Sequence, residues 1–342
     1  MKYKFLGNTG VLVSELCFGT MTFGGDGYWE AIGKLKQEEG TGLVKTAWES
    51  GINFFDTANV YSYGKSEEIL GQAIKDLGIK RSEVVIATKA RGRMAAGANQ
   101  IGLSRLHIMD SVNESLQRLG TDHIDLFYIH GVDKETSLEE TMRGLEDIVR
   151  SGKVRYLGVS NHAAWQIMKA NGIADKNGWT RFVACQHYYT IAGRDLEREL
   201  VPMMEDQNLG LMPWSPLAGG FLSGKYTRDN ESSGDNRRDS FDFPPINKDK
   251  AYDIIDVIRP IAEAHSVSVA QIALSWLLHQ KAVTSVIIGA KKPDQLKDNI
   301  AATSVQLSSE DLAKLNEISA LEAEYPAWML ERQARDRVPA EK

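Results

Sequence analysis

Residues 51–74 read GINFFDTANVYSYGKSEEILGQAI, and the fold turns on this stretch. INFFDT (52–57) is almost wholly apolar until the carboxylate of Asp56. Tyr61 comes five residues later, then Gly64, and residues 66–77 carry the spacing of an amphipathic helix. A strand with no polar alternation is buried on both faces, as in a parallel sheet covered by helices. The fold class therefore depends on whether this strand–loop–helix unit repeats.

It does. Further β-rich runs lie at 14–20, 83–89, 123–130, 154–160, 181–187, 210–214 and 284–289. Amphipathic stretches at 39–49, 105–119, 138–150, 163–171 and 195–207 separate most of them. Eight such units predict an α/β fold of the (β/α)8, or TIM, barrel class. The rival is an open doubly wound sheet, which would carry G-x-G-x-x-G after its first strand. Gly24, Gly25 and Gly27 do not have that spacing. The chain is thus expected to be one domain over 1–342, opened by a hairpin over about 1–13 that plugs the barrel floor. Two long loops, 26–37 and 223–249, and a tail at about 330–342 exceed the minimal barrel.

The 342 residues are 42% hydrophobic and 25% charged, an ordinary globular balance. Lys+Arg 40 against Asp+Glu 46 gives a net charge of -6, which gives no support for a nucleic-acid or anionic-membrane partner. No apolar run reaches the length of a membrane-spanning helix, and MKYKFLGNTG lacks the apolar stretch expected of a signal peptide. Cys17 and Cys185 sit in apolar runs and read as reduced core residues. A cytoplasmic location is expected. The histidines show neither H-x-H nor H-E-x-x-H spacing, so no metal is expected.

In such a barrel the chemistry lies at the C-terminal ends of the strands. Those ends carry Asp56 with Tyr61 in the loop beyond, Lys89, His130, Ser160 with Asn161, Gln186 with His187, and Trp214 with Ser215. Singly each has a bland explanation: a turn cap, a packing ring, a solvated amine, a satisfied core imidazole. Asp56, Tyr61, Lys89 and His130 on one rim make chemical sense together. A phenol with a pKa near ~10 is a poor acid at neutral pH, and a nearby ammonium lowers that value. Lys89 supplies the ammonium if Asp56 keeps it charged, and His130 can bond a carbonyl oxygen beside Tyr61. That set suits an oxygen gaining negative charge, as in carbonyl reduction. No side chain supplies hydride, so a nicotinamide is required. A Schiff-base role for Lys89 needs a neutral amine, which pairing with Asp56 opposes.

The chain resembles the aldo-keto reductases over nearly its whole length. The resemblance is carried by residues 51–71 together with FGTMTFGG (18–25), IATK (86–89), LFYIHGVD (126–133), YLGVSNH (156–162), WSPLAGGFLSGKY (214–226) and IIGAKKPDQLKDN (287–299), in the family's order. It is nearest to the branch of bacterial reductases and potassium-channel β-subunits, and the latter commonly lack the histidine kept here at His130. The resemblance implies Tyr61 as general acid, Lys89 as its pKa-lowering partner, Asp56 as anchor and His130 as carbonyl orienter. It implies Gly19, Thr20 and Met21 beside the nicotinamide, Ser160, Asn161 and Gln186 on the carboxamide, and Trp214 stacked on the ring. Ser215, Pro216, Leu217, Gly219 and Lys225 would follow the pyrophosphate, with Arg237 or Arg238 closing over it. Gly289, Lys291, Gln295, Asp298 and Asn299 match the adenosine end. Lys291, near the helix begun by Pro293, favours NADP(H) over NAD(H). Trp29, Met21, Arg91, Arg93 and Met94 are candidate substrate residues, with Tyr325 or Trp328 from the tail. The expected function is NADPH-dependent reduction of an aldehyde or ketone to an alcohol. The alternative is a cofactor-sensing or channel-β-like binding module with slow turnover.

Overall fold

The computed structural model describes residues 1–25, 27–228, 238 and 241–335. Eight parallel strands form its sheet: β3 (Leu16–Gly19), β4 (Phe54–Asp56), β5 (Val85–Ala90), β6 (Ile124–Ile129), β7 (Val154–Ser160), β8 (Phe182–Tyr188), β9 (Gly210–Trp214) and β10 (Val286–Ile288). From β3 to β9 each strand pairs with the next in sequence, and β10 returns to pair with β3. The ring closes where Leu211 bridges Val283 and its carbonyl accepts the Thr284 N–H at 2.9 Å. This is the TIM barrel that the eight apolar runs predict.

Strands β1 (Tyr3–Phe5) and β2 (Leu12–Ser14) form the antiparallel hairpin, with Tyr3 opposite Ser14. Leu6 and Val13 are fully buried and pack with Val85, Leu126, Ala184 and Met212, so the hairpin plugs the barrel floor. Gly7 allows the plug to seat. It has φ +55°, and a Cβ there would lie 2.2 Å from the Val183 carbonyl oxygen. The run at 14–20 divides at Glu15, because Ser14 belongs to the hairpin and pairing with the barrel begins at Leu16.

The helices surround the barrel: α1 (Gln37–Glu49), α2 (Lys65–Asp76), α3 (Arg105–Leu119), α4 (Leu138–Arg150), α5 (Ala164–Asn177), α6 (Leu200–Gln207), α7 (Lys248–His265), α8 (Val269–Leu278), α9 (Pro293–Ala301), α10 (Ser309–Ile318) and α11 (Ala327–Arg335). Two depart from the sequence pattern. The expected end of α5 at Asn171 passes through Gly172, because Ala170 and Ala174 are buried on the same face, and Gly178 at φ +65° ends the helix. The stretch 195–207 breaks at Glu199, leaving a short turn at Asp195–Glu197 before α6.

Side chains alternate strictly along the strands. Outward residues such as Phe18, Phe55, Ile86, Phe127 and Leu157 pack with the helices. Inward residues form layers: Phe54, Val85 and Leu126 low in the barrel, then Ala87 and Tyr128. The same parity carried upward turns Asp56, Lys89, His130, Ser160, Gln186 and Trp214 toward one mouth. The carboxylate that ends an apolar strand is therefore the top layer of the barrel interior.

Candidate active site

Lys89 is fully buried, and its ammonium is the hub of the site. Its Nζ lies 2.5 Å from Asp56 Oδ1, donates to the Thr57 carbonyl at 2.7 Å, and reaches the Tyr61 hydroxyl at 3.3 Å. Gln186 Nε2 donates to the other Asp56 oxygen at 2.8 Å. His130 packs edge-on against Tyr61, with ring centroids 5.7 Å apart. Asp56, Tyr61, Lys89 and His130 thus come together from three strand ends, as their positions in the sequence predict.

Burial opposes the charge on Lys89, but Asp56 and then Tyr61 outweigh it, and the ammonium pKa stands above 10.5. Burial lifts the Asp56 carboxyl, against the pull of Lys89 and Gln186. Two donors aimed at separate oxygens satisfy a carboxylate, so the buried pair is ionised at neutral pH. His130 is the reverse case. Its enclosed position, with Lys89 and Arg91 nearby, pushes its pKa to about 3. A neutral imidazole therefore faces the cavity across the working pH range.

The turn that carries Tyr61 is held from several sides. Ser62 and Tyr63 adopt left-handed conformations, φ 48° and 52°, which are strained for non-glycine residues. Ser62 Oγ donates to the Phe23 carbonyl at 2.9 Å and accepts the Gly25 N–H at 2.8 Å, tying the turn to the first long loop. Below it, Ser66 Oγ bonds Thr57 Oγ1 at 3.0 Å and the Thr20 carbonyl at 2.8 Å. Buried Glu67 accepts from Thr88 Oγ1 at 2.5 Å and from Arg118 Nε at 2.6 Å. Gly64, at φ +95°, leaves room for Arg118, whose Cδ would lie 2.5 Å from a Cβ at that position. Neither Ser66 nor Glu67 is among the candidates the sequence offers. A signal existed: Ser66 falls on the helix face of Leu70 and Ala73, where a polar residue must find a buried partner.

A cavity of about 1080 Å³ runs from Tyr61 and His130 to the start of α9. It is lined by Gly19, Thr20, Met21, Asp56, Ser160, Asn161, Gln186, Trp214, Ser215, Pro216, Leu217, Gly219, Lys225, Gly289, Lys291, Gln295, Asp298 and Asn299. Apart from the two late-loop arginines, every candidate cofactor residue is thus on one surface. Asn161 Nδ2 donates to the His130 carbonyl at 3.0 Å and to Ser160 Oγ at 2.9 Å, and Trp214 Nε1 donates to Asn161 Oδ1 at 3.0 Å. At the far end, α9 begins with Pro293 and has no side-chain N-cap, so first-turn N–H groups remain for an anion.

The expectation that Arg238 closes over the pyrophosphate changes. Arg237 lies outside the described residues. Arg238 does not reach over the cavity, because its guanidinium is buried and bonds the carbonyls of Ala218 and Pro244 and the Asp242 carboxylate. It secures the late loop from within. On the substrate side Trp29 and Arg91 line the cavity, and Met94 and Trp328 do not. Arg93 bonds the carbonyls of Ala95 and Gly97, which folds the loop holding Met94 back on itself. Tyr325 and Trp328 pack edge-on against each other and stay exposed, while Arg198 ties down the preceding segment through Glu322 and Glu324.

An aromatic series with no counterpart in the sequence pattern lies over the mouth. Tyr61, Trp29, Tyr28, Phe241, Phe243 and Trp214 follow one another with centroids 5.3 to 5.7 Å apart. The first and late loops meet where Tyr28 touches Phe241. The signal was FDFPP (241–245), an aromatic pair in an otherwise polar insertion.

Four histidines give the site's surroundings a pH dependence. Burial lowers the pKa of His107 and His162, and that of His187 to about 3. His130 is pushed down similarly. Their ordinary value is near ~6.5. Above that pH both folded and unfolded states hold them neutral. Below it the unfolded chain binds protons that the fold excludes, so stability falls as pH drops from about 6.5 toward 3. Urea midpoints between pH 6.5 and 5 should show a loss of about 1.5 kcal/mol for each fully excluded histidine. His187→Gln should flatten part of that slope.

Residues 15–320 match the Aldo/keto reductase family. The chain is 37% identical to versiconal hemiacetal acetate reductase of Aspergillus parasiticus, covering 95% of this chain and 99% of that protein. It is 38% identical to a putative aryl-alcohol dehydrogenase of Schizosaccharomyces pombe, covering 92% and 95%. It is also 37% identical to a probable voltage-gated potassium channel subunit beta of Arabidopsis thaliana, covering 89% and 92%.

Proposed function

The chain belongs to the aldo/keto reductase family, and from that premise we propose that it is an NADPH-dependent reductase of aldehydes or ketones, reversible toward alcohols. One observation carries the reading: the Tyr61 hydroxyl, 3.3 Å from a fully buried ammonium, opens with a neutral His130 onto one large cavity.

The residues at both ends of the cavity fit a nicotinamide dinucleotide. Gln186 spends its amide N–H on Asp56, which leaves its carbonyl oxygen as an acceptor for a carboxamide. The far end offers Lys291 and a helix N-terminus to phosphate. When bound, the nicotinamide supplies the hydride that no side chain carries. His130 orients the carbonyl by a hydrogen bond from its neutral ring. Tyr61 donates its proton to the oxygen as negative charge develops there, and Lys89 stabilises the phenolate left behind. Asp56 keeps Lys89 charged and aimed. The aromatic wall flanks the reacting centre with apolar surface. The reading keeps the protein in the cytoplasm, where NADPH is at hand.

The test is to follow nicotinamide absorbance with purified protein, NADPH or NADH, and 4-nitrobenzaldehyde. Rapid NADPH loss supports the reading. Lys291→Ala should weaken NADPH by about tenfold, the size expected for one charged phosphate contact, and NADH by less than about twofold. An unchanged preference would place the 2′-phosphate elsewhere. The channel-subunit relative motivates a second reading, a cofactor-binding module with slow turnover. Tight NADPH binding without turnover on a panel of carbonyls and alcohols would favour it.

A further inference from the structure

We propose that Arg91 makes this site selective for aromatic aldehydes that carry an anionic substituent. The inference rests on the reductase reading above and concerns the substrate end of the same cavity.

Val85, Ala87 and Lys89 face the barrel interior, and Arg91 follows in the same parity one residue beyond the strand. It stands one layer above Lys89 and lines the cavity with Tyr61 and His130. Two bonds fix its base. Its carbonyl accepts the Gly102 N–H at 2.9 Å, and its Nε donates to the Val132 carbonyl at 3.2 Å. The terminal nitrogens of the guanidinium make no bond to the described residues. No carboxylate among them lies within ion-pair distance. The carboxylates that line the cavity are already engaged: Asp56 by Lys89, Asp242 by Arg238, and Asp298 by Ser268 and Gln271. The positive charge is felt inside the site, since it helps to keep His130 unprotonated.

The same cavity carries an aromatic wall. Trp29 meets Tyr61 edge-on at 5.3 Å, and Tyr28 and Phe241 continue the wall. An aromatic wall and a planar fork of donors on one cavity match an aryl ring bearing a carboxylate, which guanidinium binds in a bidentate way. The competing account is a solvated surface arginine, because the Arg91 side chain is exposed at the rim. A solvated charge would not discriminate between an acid and its ester.

The experiment compares kcat/KM for 4-carboxybenzaldehyde and its methyl ester with NADPH. The wild-type protein should prefer the acid by about tenfold or more at low ionic strength, and added salt should erode that preference. Arg91→Gln should bring the ratio to within about twofold, mainly by raising KM for the acid. Arg91→Lys should recover part of it, having the charge without the fork. The ratio within one preparation does not depend on the fraction folded. An acid preference that survives Arg91→Gln overturns the proposal, as does equal use of both substrates by the wild type. In the second case ester turnover leaves the reductase reading standing. If neither substrate is reduced the proposal falls, and 4-nitrobenzaldehyde with NADPH decides whether the reductase reading falls with it.

Discussion

Tyr61→Phe is expected to lower kcat for 4-nitrobenzaldehyde by about a thousandfold while leaving the NADPH dissociation constant within about twofold. The substitution removes one oxygen and keeps the ring. The ring still fills its place between Trp29 and His130, at centroid distances of 5.3 and 5.7 Å. The bond lost to Lys89 is a long one, 3.3 Å, and the ammonium keeps Asp56 and the Thr57 carbonyl. Stability should therefore change by less than about 1 kcal/mol. What disappears is the proton delivered as the carbonyl oxygen gains charge, and neutral His130 is not an acid that can replace it. Cofactor fluorescence titration alongside steady-state rates separates the two effects. Unchanged turnover would remove Tyr61 from the mechanism.

The barrel and the inward-facing tetrad were legible because both depend on strand parity. Once INFFDT reads as a strand buried on both faces, Asp56 must end it, and the same counting places Lys89 and His130 on the same rim. Parity carries Gln186 and Trp214 as well. The mouth was less legible, because its geometry comes from contacts between segments far apart in sequence. Arg238 reads as a cation free to grip phosphate until the Ala218 and Pro244 carbonyls surround it. Phe241 reads as an apolar residue in a polar loop until Tyr28 is seen against it. Met94 rests on chain position and Trp328 on the family likeness of the tail stretch EYPAWMLE, and no periodic rule governs where a loop or a tail turns. The left-handed Ser62 and Tyr63 had no sequence signal either, since neither is a residue that favours that conformation.

Lys89→Met should abolish most turnover and also destabilise the fold, and the two effects should come apart in a double variant. Methionine can occupy the stem's path but leaves Asp56 buried without a cation. Among the described residues the carboxylate then keeps only Gln186 as a side-chain donor, and the Thr57 carbonyl loses the bond from Nζ. Removing one partner of a buried ion pair typically costs about 3–5 kcal/mol, because the other charge remains uncompensated. Asp56 can escape part of that cost by taking up a proton, which burial already favours. Stability of the single variant should therefore depend on pH more steeply than that of the parent, falling as pH rises and the carboxyl must ionise. Asp56→Asn combined with Lys89→Met removes both charges, so the midpoint of urea unfolding should recover most of the loss and its added pH dependence should vanish. Activity should not recover, because Tyr61 still lacks the ammonium that stabilises its phenolate. Lost activity that returned with stability would make Lys89 a structural residue, and normal turnover in the single variant would remove it from the mechanism altogether.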